Sequence, residues 1–587
     1  MLLLLTLSWL AGCAAPGMRS QERSQVNPLG TESAHSGDKH YGTGSGPVPR
    51  FEIFEAALTA TDDYLNPFTD VRVSVAFIAP DGRELNVDAF YDGDATWRAR
   101  IAPDSVGTWK YRTSSSKPAD AGLHAIEGAF ECVGSASKGF IRPDPVSKYW
   151  FSFSDGSPFF GIGDTAYGLA SGVSGPQLQR YLDRRAAQGF NFIRFFASGF
   201  PYPDRRSPPL EQSWPWGGTR EAPDYDRINP RYFHRLEGLL EELARRDLYA
   251  EVLIFNYYTK PFIDASVWTA EREAMWTRQV IARLGAFRSV FLWTVTNEYE
   301  TYPAGKYAYD GAPDDDWVKR IGALLRRADA HGHPTTAHNF SFDANGGIGG
   351  RFGAGDEITV LSQQKWGEAT WQGHSLEGDA AGIEDAIAVD RVFGKPVINS
   401  ENGYEWLASH SNFNRQTVST DKARRAAWRV FMAGGAAYAA GFAGTWMGGD
   451  DYYWLGQGPL YFRLQDMGFG AQVRHLRSFV AATGYAAMSP DHCRVDAPSL
   501  CMAAPAQEYV AYAPTGGPIS VDLSTEKGRS FSATSYDPRT GRARRMPVAK
   551  GGDVVTFRGP RSKDWALRLL PLPVAADRTQ EGGREGF

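Results

Sequence analysis

Between about positions 145 and 485, short apolar runs alternate with stretches whose apolar residues recur every three or four positions. Runs of the first kind suit strands buried on both faces, and stretches of the second kind suit helices that cover them. The candidate strands fall at 159–163, 191–196, 249–255, 291–296, 334–339, 358–362, 395–401 and 437–446. Helices are expected with Pro176 near the first turn and Gly189 just past the end, over 232–246 and around 271–284. Eight strands with mostly helical crossovers predict a closed (β/α)8 TIM barrel. The Gly-rich segment between strands five and six shows no helical pattern.

On both sides the pattern changes to short strands with turn residues between them. Runs at 51–58, 71–78, 89–91, 97–101 and 107–113 are separated by Pro80-Asp-Gly82 and Asp92-Gly-Asp94, which predicts a β-sandwich. Runs at 509–512, 519–523, 530–536 and 554–557 predict a second one. The chain is therefore read as multidomain: an N-terminal β-sandwich over 46–136, a barrel over 137–488, a C-terminal β-sandwich over 489–575 and a disordered charged tail over 576–587.

The strand Phe291-Leu-Trp-Thr-Val-Thr296 stops abruptly at Asn297-Glu298, and a second short apolar strand ends in Glu401. Barrel strands deliver catalytic side chains where they emerge at the C-terminal rim. The two glutamates lie 103 positions apart (401 − 298), about three βα units. Two strand ends with one carboxylate each are what glycoside hydrolysis needs. The remaining strands offer Asp164, Arg194, His338 with Asn339, Gln363 or Gln364, and Trp446 at the same rim. Of these, Asp164, Arg194, His338, Gln363 and Trp446 join Asn297 as expected sugar contacts, because hydroxyls want donors and acceptors and a ring face wants an aromatic plane.

Each residue has a plainer alternative. Glu298 is also placed to cap the next helix, Arg194 to sit in a barrel-internal ion pair, His338 to be structural and Trp446 to be core. Glu300 is read as solvated. Trp214, Trp216, Trp366 and Trp371 lie in loops, where sugar subsites and loop packing are equal explanations.

Composition narrows the function classes. Hydrophobic content of 42% and 13% aromatics allow a large core and leave Trp and Tyr for sugar stacking. A net charge of −5, with no basic cluster, argues against nucleic acid. Gly161-Ile-Gly163-Asp-Thr-Ala166 fits a dinucleotide-binding pattern. However, Gly168, Gly172 and Gly175 intervene before the helix, and Asp164 would set a negative charge beside a pyrophosphate. No cofactor is expected. No Cys/His spacing suggests zinc, so no metal is expected, and His331-Gly-His333 reads as a loop before a strand.

Phe160-Gly-Ile-Gly-Asp-Thr-Ala, Gly189-Phe-Asn-Phe-Ile-Arg, Trp293-Thr-Val-Thr-Asn-Glu and Pro396-Val-Ile-Asn-Ser-Glu together resemble the apiosidase-like branch of clan A glycoside hydrolases. The leading β-domain resembles the uncharacterised domain that precedes such barrels, and the trailing one resembles a collagen-binding-type β-domain. The resemblance implies Glu298 as acid/base, Glu401 as nucleophile, Asn297 on the sugar 2-hydroxyl and Arg194 near the nucleophile. The pattern departs at strand six, where Gln363-Gln364 stands in place of a nucleophile-orienting Tyr. The expectation is a retaining glycoside hydrolase acting on a β-linked glycan. The rival readings are a non-catalytic glycan- or matrix-binding lipoprotein with a degenerate barrel, and a carbohydrate lyase.

The chain begins Met1-Leu-Leu-Leu-Leu-Thr-Leu-Ser-Trp-Leu-Ala-Gly-Cys13, too short an apolar run to span a bilayer. Leu10-Ala-Gly-Cys13 resembles a bacterial lipobox, with 1–13 as signal peptide and lipidated Cys13 as anchor, although no Lys or Arg precedes the run. An ordinary cleaved signal peptide is the alternative. Residues 14–45, rich in Gly, Ser and charge, read as a flexible tether. Of the other cysteines, Cys493 and Cys501 are spaced for a local disulfide, and Cys132 is left as a buried thiol. An exported, membrane-anchored lipoprotein is expected to lose its membrane affinity with its acyl chains. Cys13→Ser should move the protein to the soluble fraction, and unchanged membrane fractionation of that variant would remove the lipoprotein reading.

Overall fold

A computed structural model describes residues 46–172, 175–199, 213–301, 314–339, 346–365, 370–371, 374–375, 382–402, 405, 418–441 and 468–573. Cys13, Trp366, Trp446 and the tail lie outside these residues. The centre is a nearly closed barrel of eight parallel strands. These are β1 (Gly161–Thr165), β2 (Phe192–Phe196), β3 (Tyr249–Phe255), β4 (Val290–Thr296), β5 (Thr335–Thr336), β6 (Leu361–Gln363), β7 (Val397–Asn399) and β8 (Ala437–Ala440). Hydrogen-bonded neighbours run β5-β4-β3-β2-β1-β8-β7-β6. A parallel bridge between His338 and Ser362, with Thr336 Oγ1 donating to Val360 O at 2.7 Å, spans the remaining gap. Since every pairing is parallel, the strand ends carrying Glu298 and Glu401 share one rim.

Among the described residues, seven helices of nine or more residues cover the barrel: α1 (Gly175–Gln188), α2 (Pro230–Ala244), α3 (Ala270–Leu284), α4 (Asp315–Ala328), α5 (Ile383–Arg391), α6 (Thr420–Met432) and α7 (Gly468–Ala481). Their starts follow capping chemistry. Asn229 with Pro230 at the first turn, Thr269, Asp314 and Ser419 each accept a backbone N–H of the first turn. Two elements were not expected. A one-turn helix, Gly349–Phe352, lies in the Gly-rich β5–β6 segment, and a hairpin of Trp216–Gly218 with Pro223–Ile228 lies after β2. Trp216 anchors that hairpin by burying its ring against Phe262, Trp268 and Trp276, so its loop position reflects packing.

One end of the barrel is filled with aromatics. Phe151 and Phe159, from a small three-stranded sheet, meet Phe291 at 5.0 and 5.1 Å, and Phe192 meets it at 5.4 Å. β1 runs so close to Phe192 that a Cβ at Gly163 would lie under 3.0 Å from its ring, and one at Gly161 would collide with Ala437. The glycines of the dinucleotide-like pattern are thus explained by strand packing.

The flanking regions are β-rich. Before the barrel, a five-stranded sheet (Val48–Pro49, Glu127–Val133, Gly107–Ser115, Val73–Ile78, Glu84–Asp88) and a three-stranded one (Phe54–Thr59, Thr96–Ile101, Phe90–Gly93) share a core around Phe54, Val75, Phe77, Trp97 and Trp109. Buried Cys132 is a free thiol, pushed up to about 11 by that burial. After the barrel, a five-stranded sheet (Leu500–Ala504, Glu508–Ala513, Trp565–Pro571, Ser530–Tyr536, Ala543–Lys550) shares a core with the pair Ile519–Asp522 and Val554–Phe557. Cys493 and Cys501 are disulfide-bonded there, with Cα atoms 5.7 Å apart.

Both flanks dock on barrel helices through buried charges. Arg100 pairs with Glu55 at 2.7 Å and reaches Glu237 of α2 and the Arg283 carbonyl of α3 at 3.0 and 2.9 Å. Arg424 of α6 makes a two-pronged pair with Asp564 at 2.9 and 2.7 Å. The loop before β5 adds a neutral contact: Ala102 N donates to His331 Nε2 at 2.9 Å.

Burial, with the neighbouring charges of His333 and Arg142, lowers His331 to about 4. Unfolded histidine titrates near 6.5, so between those values the unfolded chain binds the extra proton and stability falls as pH falls. The loss saturates below about pH 4 at roughly 3 kcal/mol. His331→Gln keeps an acceptor but cannot titrate, and should flatten the denaturation free energy against pH in this window by up to one proton. Identical slopes for variant and wild type would refute it.

Candidate active site

At the rim opposite the aromatic plug, register places unlike chemistry in one layer. Thr165 of β1 pairs with Arg194 of β2, and Arg194 with Glu251 of β3. Arg194 and Glu251 are fully buried and bonded Nε to Oε1 at 3.0 Å. Thr294 Oγ1 donates to the same oxygen at 2.8 Å. Burial nevertheless pushes the Glu251 carboxyl up, against the opposing pull of Arg194.

The other two guanidinium nitrogens face the candidate catalytic groups. Nη1 donates to Tyr167 Oη at 2.6 Å and lies 3.4 Å from Glu401 Oε2. Nη2 donates to Asn297 Oδ1. Tyr167 directs its proton to Glu401 Oε2 at 2.9 Å, the nearer of its two acceptors. Gln364 Nε2 donates to the other oxygen, Oε1, at 3.2 Å. His338 Nε2 stands 3.9 Å from Glu401 Oε2. Burial and the Arg194 charge push His338 well below its ordinary range, so the ring is neutral. Its Nδ1 accepts from Glu298 N at 3.3 Å, which leaves the proton on Nε2, on the side of Glu401. Every neighbour named here around Glu401 is a donor, or carries a hydrogen toward it.

The second carboxylate belongs to the same network. With Oδ1 of Asn297 taken by Arg194, its Nδ2 donates to Tyr258 Oη at 2.8 Å, and Tyr258 in turn donates to Glu298 Oε2 at 2.7 Å. Orientation therefore passes from the buried cation through amide and phenol to Glu298. Glu298 itself has φ +47°, the left-handed region, which costs a non-glycine residue about 1–3 kcal/mol and turns the side chain sharply out of the β4 line.

Several expected contacts lie elsewhere. Asp164 was placed at the rim, but it pairs with inert Ile193 in register and faces outward, where Tyr181 and Arg185 of α1 donate to it at 2.7 and 2.5 Å. Gln363 also faces the helix layer, donating to Ala386 O and Asp390 of α5, and its neighbour Gln364 is the one that reaches Glu401. Glu300 is not simply solvated: Arg351 and Asn339 hold it at 3.1 and 2.9 Å. Trp446 lies outside the described residues. Tyr167, Tyr258 and Glu251 were missed. The signal for the two tyrosines is a polar aromatic two or three residues beyond a barrel strand, doubled as Tyr257-Tyr258 after β3; for Glu251 it is a charge inside an apolar run. Among the described residues no His/Cys/Asp/Glu group could hold a metal, and no helix is long and apolar enough to cross a membrane.

Comparison with known proteins identifies the family of the barrel and its fold. A family model described as "Apiosidase-like, catalytic domain" matches residues 147–484. A domain of unknown function, DUF5060, matches 47–116, and "Putative collagen-binding domain of a collagenase" matches 494–570. A solved structure described as a "putative glycoside hydrolase from Bacteroides vulgatus ATCC 8482" is similar in fold. It has a TM-score of 0.71 and 20% identity, covering 90% of this chain and 100% of that one. A family 5 glycoside hydrolase from the same organism has a TM-score of 0.58 and 14% identity, covering 76% and 96%. No curated protein matches the chain.

Removing Arg194 should strand Glu251 as a buried, uncompensated carboxylate. Arg194→Met is expected to cost about 3–5 kcal/mol in urea unfolding, and Arg194→Met/Glu251→Leu to recover most of it without restoring turnover. A double variant as unstable as the single one would show that the pair does not carry this role.

Proposed function

We propose the reaction of this chain, which belongs to the apiosidase-like family of glycoside hydrolases: hydrolysis of a β-linked glycosidic bond with retention at the anomeric carbon. The observation that carries the reading is the pair of rim glutamates joined in one hydrogen-bond network. Glu401 accepts from Tyr167 and Gln364 and lies beside Arg194, and Glu298 accepts from Tyr258, which Asn297 orients. A carboxylate among donors is stabilised as the anion and suits the nucleophile, and the second carboxyl at the same rim suits the acid/base.

In the first step Glu401 attacks the anomeric carbon while Glu298 gives its proton to the departing glycosidic oxygen, leaving a glycosyl ester on Glu401. In the second, Glu298 takes a proton from water, the water oxygen attacks the same carbon and Glu401 leaves. Asn297, whose Nδ2 donates one hydrogen to Tyr258, has a second for the sugar 2-hydroxyl. We extend the proposal to location: lipidated Cys13 would hold the enzyme at a membrane after export.

Retaining enzymes place their carboxyl groups about 5–5.5 Å apart, inverting ones about 6.5–9.5 Å. Glu401→Ala should abolish release of reducing ends from a glycan panel. Glu298→Ala should slow it most for poor leaving groups, with azide restoring part of the rate by replacing the water that needs a base. NMR of the first-formed product decides the roles: an inverted anomer would overturn them even if both residues prove essential. Full activity of Glu401→Ala would remove Glu401 as nucleophile, and wild-type binding to a glycan without release of reducing ends would instead favour the non-catalytic binding reading.

A further inference from the structure

A second concave site lies outside the barrel. A cavity of about 420 Å3 opens in the C-terminal β-region, lined by the end of Ser530–Tyr536, the turn at 537–542, the edge strand Ala543–Lys550, the loop at 558–560 and Trp565. That volume falls within the range of small-molecule sites, about 300–1,000 Å3. Four arginines line it, Arg539, Arg542, Arg544 and Arg558, with one acid, Asp537. Asp537 is taken by Arg539 at 2.8 Å. Among the described residues the guanidinium groups of Arg542, Arg544 and Arg558 have no hydrogen bond or ion pair.

The surroundings do not cancel this charge. Residues 489–573 contain twelve Lys and Arg against eight Asp and Glu, in a chain whose net charge is −5. Glu508, Glu526 and Asp564 are committed to Arg568, Arg529 and Arg424. Contrary to the expectation of no basic cluster, Arg539, Arg542, Arg544 and Arg545 already stand within seven positions of the sequence, and folding adds Arg558 to them. One half-buried aromatic, Tyr536, completes the cavity. Its Oη donates to His475 O at 2.9 Å, so what it leaves for a ligand is ring surface, while Trp565 forms the buried floor with Nε1 on Gly517 O at 2.9 Å.

Free guanidinium forks recognise planar or tetrahedral oxyanions, and ring surface recognises the C–H face of a sugar. We propose that this cavity binds an anionic saccharide unit, one bearing carboxylate or sulfate groups, as a site separate from the catalytic pocket. A triple-helical peptide fits it less well, because a three-chain rod presents both charge signs and is too broad to enter a recess of about 420 Å3.

Binding is measured on the full chain carrying Glu401→Ala, so that turnover does not remove the ligand and failure leaves the catalytic reading untouched. Affinity electrophoresis in alginate, dextran sulfate and neutral dextran, beside a collagen-coated surface, separates the alternatives. Retardation by an anionic polymer and not by dextran is expected, falling with added salt. The polymer that retards identifies carboxylate or sulfate. Arg544→Ala/Arg558→Ala should weaken it about tenfold, and Arg544→Lys/Arg558→Lys should retain part of it. Both positions are exposed, so thermal unfolding should not change. Equal retardation of the alanine variant, equal retardation by dextran, or binding to collagen alone would each overturn the proposal.

Discussion

The arrangement depends on one buried cation. Arg194 has no access to solvent, cannot lose its proton and must satisfy five N–H donors inside the barrel. Glu251, Tyr167, Glu401 and Asn297 accept from it, and each of these then has a restricted set of remaining bonds. The orientation of the Asn297 amide, the donor role of Tyr258 and the position of Glu298 follow in sequence. The guanidinium is fixed on β2 and Glu251 on β3 by register, so the network rests on strands, and loops supply only Tyr167, Tyr258 and the residues just past the strand ends.

The barrel separates its two ends by chemistry. Rings of Phe151, Phe159, Phe192 and Phe291 fill one end, and β1 contributes glycines because no side chain fits beside them. Thr165, Arg194 and Glu251 then form a polar layer beneath the candidate site. A charge pair in that layer has no water to lean on, which makes its partners obligatory and its geometry narrow.

Most of the barrel was legible because buried parallel strands write themselves as apolar runs, and the two glutamates mark where two such runs end. What failed was parity. Asp164 and Gln363 sit at the right height but on the outward face, one residue away from the inward positions Thr165 and Gln364. An apolar run buried on both sides carries no alternation, so it cannot say which of two adjacent polar residues points inward. Tyr167 and Tyr258 failed for another reason: they lie in loops, where sequence distance from a strand end says little about direction. Between them Tyr167 and Gln364 support Glu401 in the place where the family pattern led us to look for a strand-six tyrosine. The support is the same chemistry, donors to a carboxylate, delivered by Gln364 at the end of strand six and by Tyr167 from beyond β1.

The β-rich flanks show the same use of buried charge for placement. Arg100 reaches α2 and α3, and Asp564 reaches α6; both contacts fall on the helix layer. Replacing such pairs with apolar residues is often neutral or favourable for stability, so their value lies in admitting one docking geometry and rejecting shifted ones. A flat apolar face would tolerate sliding by a residue or more. A guanidinium facing Glu55, Glu237 and a helix-end carbonyl at once would not, because any slip leaves a charge buried alone. The catalytic layer and the domain contacts are therefore specified by the same physical rule, an arginine whose partners cannot be exchanged.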